Sequence, residues 1–165
     1  MLKICGRTSR KEVIFTSDPY IPIDLKLGIW SEPIENTVYW RTGDFKKNLL
    51  EVGIGSGKKE LRSITLVAWE RKIVEITRQP VPSGGKREEG CPIFEFGYAE
   101  TMVDEKSQLR IFLGDQAISI LFSDPPIHSI MKNERVDFFM NPQKEWIGIC
   151  IHIDGGIDKK NFLCT

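Results

Sequence analysis

The sequence has no excess of charge of either sign: 23 Lys and Arg stand against 23 Asp and Glu, for a formal net charge of zero. That absence argues against a dedicated nucleic-acid binder, which carries a basic surplus. No apolar run approaches the ~18 residues needed to cross a bilayer, so no membrane span is expected. The opening residues, Met1-Leu2-Lys3-Ile4-Cys5-Gly6-Arg7, turn polar too soon for a secretory signal, and a cytoplasmic protein is expected. Cysteine is scarce. Cys5, Cys91, Cys150 and Cys164 form no CxxC pair, and their gaps match no zinc module. In a reducing compartment they read as small buried residues plus one tail thiol, not as disulfides. Repeats of roughly 20–50 residues and low-complexity tracts are also missing, which sets solenoids and propellers aside.

What is present is a strand pattern. Apolar residues make up 41% of the 165 residues, enough for one ordinary core. They alternate with polar residues nearly everywhere, the period of a half-buried strand. Ile21, Ile23, Leu25, Leu27 and Ile29 predict one long strand, and residues 37–41 (Thr-Val-Tyr-Trp-Arg) another. Leu50, Val52 and Ile54 predict a third, and Leu61 to Trp69 a more apolar, central one. Arg71 to Thr77 reads as extended, and Cys91 to Tyr98 puts Phe94, Phe96 and Tyr98 on one face. A hairpin is expected from Ser107 to Ser123, with Gly114-Asp115 as a type II′ turn. Asp124-Pro125-Pro126 ends it, since proline cannot donate to a ladder. Ile127 to Arg135 reads as a short helix or turn, Val136 to Met140 as a strand, and Asn141 to Lys144 as a turn. The last strand, Glu145 to Ile153, places Ile147, Ile149, Ile151 and Ile153 on one face, with Cys150 and His152 opposite. Residues 79–90, rich in Pro and Gly and then charged, predict a long surface loop. The expectation is therefore one all-β (or β-rich α+β) domain over 1–165. It would be an antiparallel sandwich or strongly bent sheet of about ten strands with at most one or two short helices.

Few residues suggest chemistry. The stretch Gly53-Ile54-Gly55-Ser56-Gly57-Lys58-Lys59 has the glycines of a phosphate loop, but the spacing is one short and Lys59 replaces the Mg²⁺-binding hydroxyl. It reads as a hairpin turn of positive-φ glycines. Cys150 with His152 supplies two of the three or four ligands zinc wants, so no metal and no cofactor is expected. Cys150 or Ser123 with His128 and Asp124 makes a triad on paper, without a nucleophile elbow, and no catalytic residue is assigned. Glu95, Glu100, Asp104 and Glu105 form an acidic segment suited to docking a basic partner. Arg41, Lys46, Lys47, Lys58, Lys59 and Arg62, with Trp30, Tyr39 and Trp40, are the opposite pattern, an aromatic-basic surface for single strands.

Residues 49–67 (Leu-Leu-Glu-Val-Gly-Ile-Gly-Ser-Gly-Lys-Lys-Glu-Leu-Arg-Ser-Ile-Thr-Leu-Val) resemble a glycine-turn hairpin of small β-rich bacterial proteins. Some of these are similar to immunity proteins of polymorphic-toxin and contact-dependent inhibition systems. The resemblance implies a non-enzymatic protein that occludes the active site of a cognate toxin domain, and it transfers no catalytic or binding residue. On that expectation the acidic residues Glu95, Glu100, Asp104 and Glu105 are the candidate partner surface. A small β-fold enzyme using carboxylates or the Cys/His pair, and a single-strand nucleic-acid binder, are the alternatives.

Overall fold

A computed structural model describes residues 1–29, 35–97, 100–124, 126–156 and 158–163. The expected features at Trp30, Tyr98, Pro125 and Cys164 lie outside the described residues. In chain order the strands are β1 (Lys3–Thr8), β2 (Val13–Thr16), β3 (Asp24–Leu27), β4 (Thr37–Gly43), β5 (Leu49–Gly55) and β6 (Leu61–Ala68). They continue with β7 (Val74–Glu75), β8 (Arg87–Glu89), β9 (Cys91–Glu95), β10 (Met102–Lys106) and β11 (Arg110–Leu113). The last are β12 (Ala117–Leu121), β13 (Ser129–Asn133), β14 (Val136–Met140) and β15 (Trp146–His152). The one α-helix among the described residues, α1 (Lys160–Leu163), is a single turn.

The chain is all-β, as its alternation predicts, and builds a sandwich. A six-stranded sheet runs β10-β4-β5-β6-β3-β2, and a seven-stranded sheet runs β7-β11-β12-β15-β14-β13-β8. Their inner faces share one core, centred on fully buried Trp40 from β4 and Trp146 from β15. These rings lie 6.1 Å apart, and Phe94, Phe122 and Phe138 pack around Trp146 at 5.3, 4.9 and 6.1 Å. Tilted and edge-to-face contacts of this kind add to area burial. The remaining two strands, β1 and β9, form a ribbon that joins the sheets at one end. Trp146 N–H donates to Leu2 C=O at 2.8 Å, and Phe94 N–H donates to Lys59 C=O at 3.0 Å. At another margin Phe162 of α1 is fully buried, its carbonyl accepting from Trp69 Nε1 at 3.3 Å.

Several expectations change. The described residues carry fifteen strands rather than about ten. Pairing is mainly antiparallel, but β10 on β4, β7 on β11 and β8 on β13 are parallel, each at a sheet edge. The strand expected over Ile21–Ile29 shrinks to β3, because Ile21 and Ile29 are exposed beyond it. Residues 71–73 form a 3₁₀ turn, leaving only Val74–Glu75 extended. The hairpin turn falls one residue late: Gly114 N–H donates to Ala117 C=O at 2.9 Å, so Asp115-Gln116 are central, and Gly114 has no positive φ. The short helix or turn expected at 127–135 is strand β13 followed by a tight turn at Glu134, whose φ is 52°.

Two features shape the outer face of the seven-stranded sheet. First, β14 and β15 pair Phe139 with Gly148 but Met140 with Trp146, so Ile147 is an extra residue. A bulge of this kind reverses the side-chain alternation. Ile147 therefore joins Cys150, Phe112, Leu121, Ile130 and Phe139 on the outer side, while Ile149, Ile151 and Trp146 stay in the main core. The expected four-isoleucine stripe is broken there. Second, β7 and β8 are consecutive strands on opposite edges of that sheet. Six interstrand gaps at ~4.8 Å take roughly 29 Å to cross. The eleven residues 76–86 reach about 36 Å at ~3.3 Å each, so the connection is a nearly taut strap. It lies on the outer cluster: Gln79 Nε2 donates to Phe112 C=O at 3.2 Å, Ser119 Oγ donates to Gln79 Oε1 at 2.6 Å, and Ser83 N–H donates to Ile127 C=O at 3.2 Å. Pro80 and Pro82 favour this extended course. The loop expected at 79–90 does run over the surface, tied down at Gln79 and Ser83, and its last residues are strand β8.

Candidate functional site

The acidic segment does not form one face. Asp104 and Glu105 are neighbours on β10 and point to opposite sides of it. Asp104 accepts both Arg41 Nε and Nη2, at 2.7 and 2.8 Å, in a bidentate pair on the outer face of the six-stranded sheet. Glu105 accepts Trp40 Nε1 at 3.0 Å and the Met1 amino group. Both carboxylates are therefore engaged by the chain's own donors. Glu95 and Glu100 are exposed, Glu95 at the end of β9.

The aromatic-basic pattern dissolves similarly. Trp40 is 1% exposed and belongs to the core. Lys47 pairs with Glu70 at 2.7 Å, Lys59 Nζ donates to Ser56 C=O at 2.5 Å, and Arg62 Nη1 donates to Thr37 Oγ1 at 2.7 Å. The glycine motif has a different cause from positive φ. Lys59 takes the left-handed conformation of that turn, with φ of 58°. Gly55 and Gly57 instead leave room for the Glu35 carboxylate, the movable end of a flexible side chain, which a Cβ on either would meet at 2.2 Å. That carboxylate accepts the Gly57 and Lys58 N–H groups, the latter at 2.9 Å, so the backbone cradle of the motif holds an internal anion.

Cys150 and His152 do share the outer face of β15, and folding adds Asp137, opposite Cys150 on β14. His152 Nε2 lies 3.0 Å from Asp137 Oδ2, a contact that orients the ring. Asp137 is 8% exposed, and its Oδ1 has no hydrogen-bond partner among the described residues. The neighbouring thiol is a poor nucleophile, since burial pushes Cys150 up to about 11. Burial likewise pushes Cys91 up to about 12. Among the described residues no group of three His, Cys, Asp or Glu side chains is placed to hold a metal. Nor does any hydrogen bond among them join Ser123, Asp124 and His128.

The structure brings together a site that the sequence does not announce. A cleft of about 370 Å³ opens between the ribbon strand β1, the edge strand β8 and the β14–β15 turn. Its floor is apolar, with Ile4, Met131 and Met140 all buried. Its rim is cationic: Arg7, Lys86 and Lys144 are exposed. The one carboxylate in the lining, Glu88, pairs with Lys86 at 2.8 Å. Glu88 is held below the ordinary carboxyl range, first by the Lys86 hydrogen bond and then by the charges of Lys86, Arg7 and Lys144, against a desolvation cost. Three cations thus converge on one acid.

The wall geometry follows from turn and pairing chemistry. Asn141 Oδ1 accepts the N–H groups of Gln143 and Glu145 at 3.0 and 2.9 Å, an Asx turn that lifts Lys144, φ 61°, over the cleft. On β8, Lys86 C=O accepts Ile130 N–H at 3.1 Å, and Gly90 N–H donates to Lys132 C=O at 2.9 Å. In a parallel pair the backbones of Arg87 and Glu89 must then face away from β13. On that free side Glu89 C=O accepts Arg7 Nη1 at 2.6 Å.

These features define an all-β sandwich domain with an open, cation-rimmed cleft at one end. No protein-family model matches the sequence, and no curated protein matches it.

Proposed function

We propose that this chain is a non-enzymatic binding protein that docks on a protein partner, in the manner of an immunity protein occluding the active site of a cognate toxin. The observation that carries the reading is the cleft: an apolar floor ringed by exposed cations, set on paired strands. Such a site offers anchoring area at its centre and charge at its rim, the usual anatomy of a protein interface. Because Asp104 pairs with Arg41 and Glu105 with Trp40 and the Met1 amino group, the reading puts the docking surface at the cleft, with Glu95 and Glu100 the exposed acids of the acidic segment. The reading places the protein in the cytoplasm, where a toxin would act.

The test is co-expression with the toxin-like C-terminal domain of the secreted protein encoded beside this chain's gene. Rescue of growth, lost on Arg7→Glu with Lys144→Glu, is the expected result. Absence of such a neighbour, or a soluble, folded chain that gives no rescue, rejects the immunity reading.

A further inference from the structure

The cleft has a buried apolar floor and a surplus of positive charge around it, and these two facts constrain what fits. We infer that the cleft receives an acidic segment of a partner protein, its apolar side chains on the floor and its carboxylates on Arg7 and Lys144. The inference rests on the docking reading above and specifies its partner chemistry.

Two observations support it. The buried Ile4, Met131 and Met140 form an apolar floor that the side chains of an incoming segment can cover, inside a rim of exposed cations. The internal carboxylate of Glu88 already shows how an acid sits there, paired with Lys86 and within the field of Arg7 and Lys144. Lys86 is committed to Glu88 and one Arg7 nitrogen to Glu89 C=O, which leaves Lys144 and the rest of the Arg7 guanidinium to face a ligand. A basic segment would meet like charge on all three sides, so the polarity of the partner is fixed by the site.

The experiment uses the full chain and fluorescein-labelled peptides read by anisotropy. The probes are a Glu-Val repeat, which favours an extended form with alternating acid, and a Lys-Val repeat as its charge-inverted control. The Glu-Val peptide is expected to bind at low salt and the Lys-Val peptide not. Binding should weaken as ionic strength rises, because the rim charges are exposed. Arg7→Glu with Lys144→Glu should weaken it by about tenfold or more, with an unchanged melting temperature showing that the variant folds. Lys58→Glu, an exposed cation on the distant hairpin turn, should leave it unchanged. Equal binding of both peptides, or binding indifferent to the Arg7/Lys144 variant, overturns the inference. So does full displacement of the Glu-Val peptide by equimolar tripolyphosphate, which would make the cleft a small-anion site. Growth rescue without Glu-Val binding would sink this inference and spare the docking reading, while peptide binding without rescue would do the reverse.

Discussion

Two adjacent glycines in the strap separate backbone strain from close packing, and substituting each by alanine tests how the strap is held. Gly84 and Gly85 both have positive φ, 128° and 106°. A Cβ at position 84 would meet nothing within 4 Å, whereas one at 85 would lie 1.5 Å from the carbonyl oxygen of His128. Each alanine incurs about 1–3 kcal/mol for a backbone conformation that side chains disfavour. Gly85→Ala must also lift the strap, and two bonds beside it are then at risk. They are Ser83 N–H to Ile127 C=O at 3.2 Å and Ile130 N–H to Lys86 C=O at 3.1 Å. At ~0.5–1.5 kcal/mol each, Gly85→Ala should cost roughly 1–3 kcal/mol more than Gly84→Ala. For a chain of this size that gap corresponds to about 2–12 °C in melting temperature. Urea unfolding of both variants measures the difference, and amide exchange at Ile130 reports whether the strap has lifted locally. Equal midpoints, or a larger loss from Gly84→Ala, would refute the claim that the strap is packed against the His128 carbonyl.

Other consequences are equally direct. Trp146→Ala removes the ring at the centre of four aromatic contacts and should cost about 3–5 kcal/mol by chemical denaturation; a loss under about 1 kcal/mol would mean the two sheets do not meet there. Gln79→Ala removes the oxygen acceptor of the buried Ser119 hydroxyl, leaving it only the weak Cys150 sulfur as a partner, and should cost about 1 kcal/mol, with no change in the urea slope. Asp44 accepts the N–H groups of Lys46, Lys47 and Asn48, which hold its carboxyl well below the ordinary range. A carboxyl depressed in the folded state stabilises above its unfolded value of about 3.9, and that contribution fades as pH falls below it. Asp44→Asn should therefore flatten the acid limb of a stability–pH curve, and parallel curves below about pH 4 would contradict the turn geometry. In a Cys164→Ser background one thiol, the exposed Cys5, should react quickly with a disulfide reagent, while Cys91 and Cys150 should react only on unfolding.

What the sequence disclosed depended on how each strand is buried. β4, β5 and β6 have one face in the core and one in solvent, so alternation at Val38, Trp40, Leu50, Val52 and Ile54 showed them clearly. β13 was hidden because Ile130, Met131 and Asn133 are buried on both faces, which erases the period of two. The edge strands β7, β8 and β10 are short or charged and owe their conformation to a partner far away in sequence. Nothing in the run Trp146 to Ile153 reveals that Ile147 is a bulge, since that is a property of its pairing with β14. The cleft was illegible for the same reason. Its walls come from β1, β8 and the β14–β15 turn, and Arg7, Lys86 and Lys144 are unexceptional surface residues until the fold assembles them.

The strap has a temporal consequence. The two edges of the seven-stranded sheet are synthesised before any of the strands that separate them, since β7 and β8 end at Glu89 while the interior runs from Arg110 to His152. At ~5–20 residues per second on the ribosome, the nascent chain carries its β8 edge for roughly 3–13 s before its sheet exists. Throughout that interval the strap lacks the partners of its hydrogen bonds, Phe112, Ser119 and Ile127, and the Arg87–Glu89 backbone is open to pairing with other chains. The cluster of charge at Lys86-Arg87-Glu88-Glu89 then acts as a gatekeeper during synthesis, keeping an unfinished edge soluble until β15 emerges to complete the sheet.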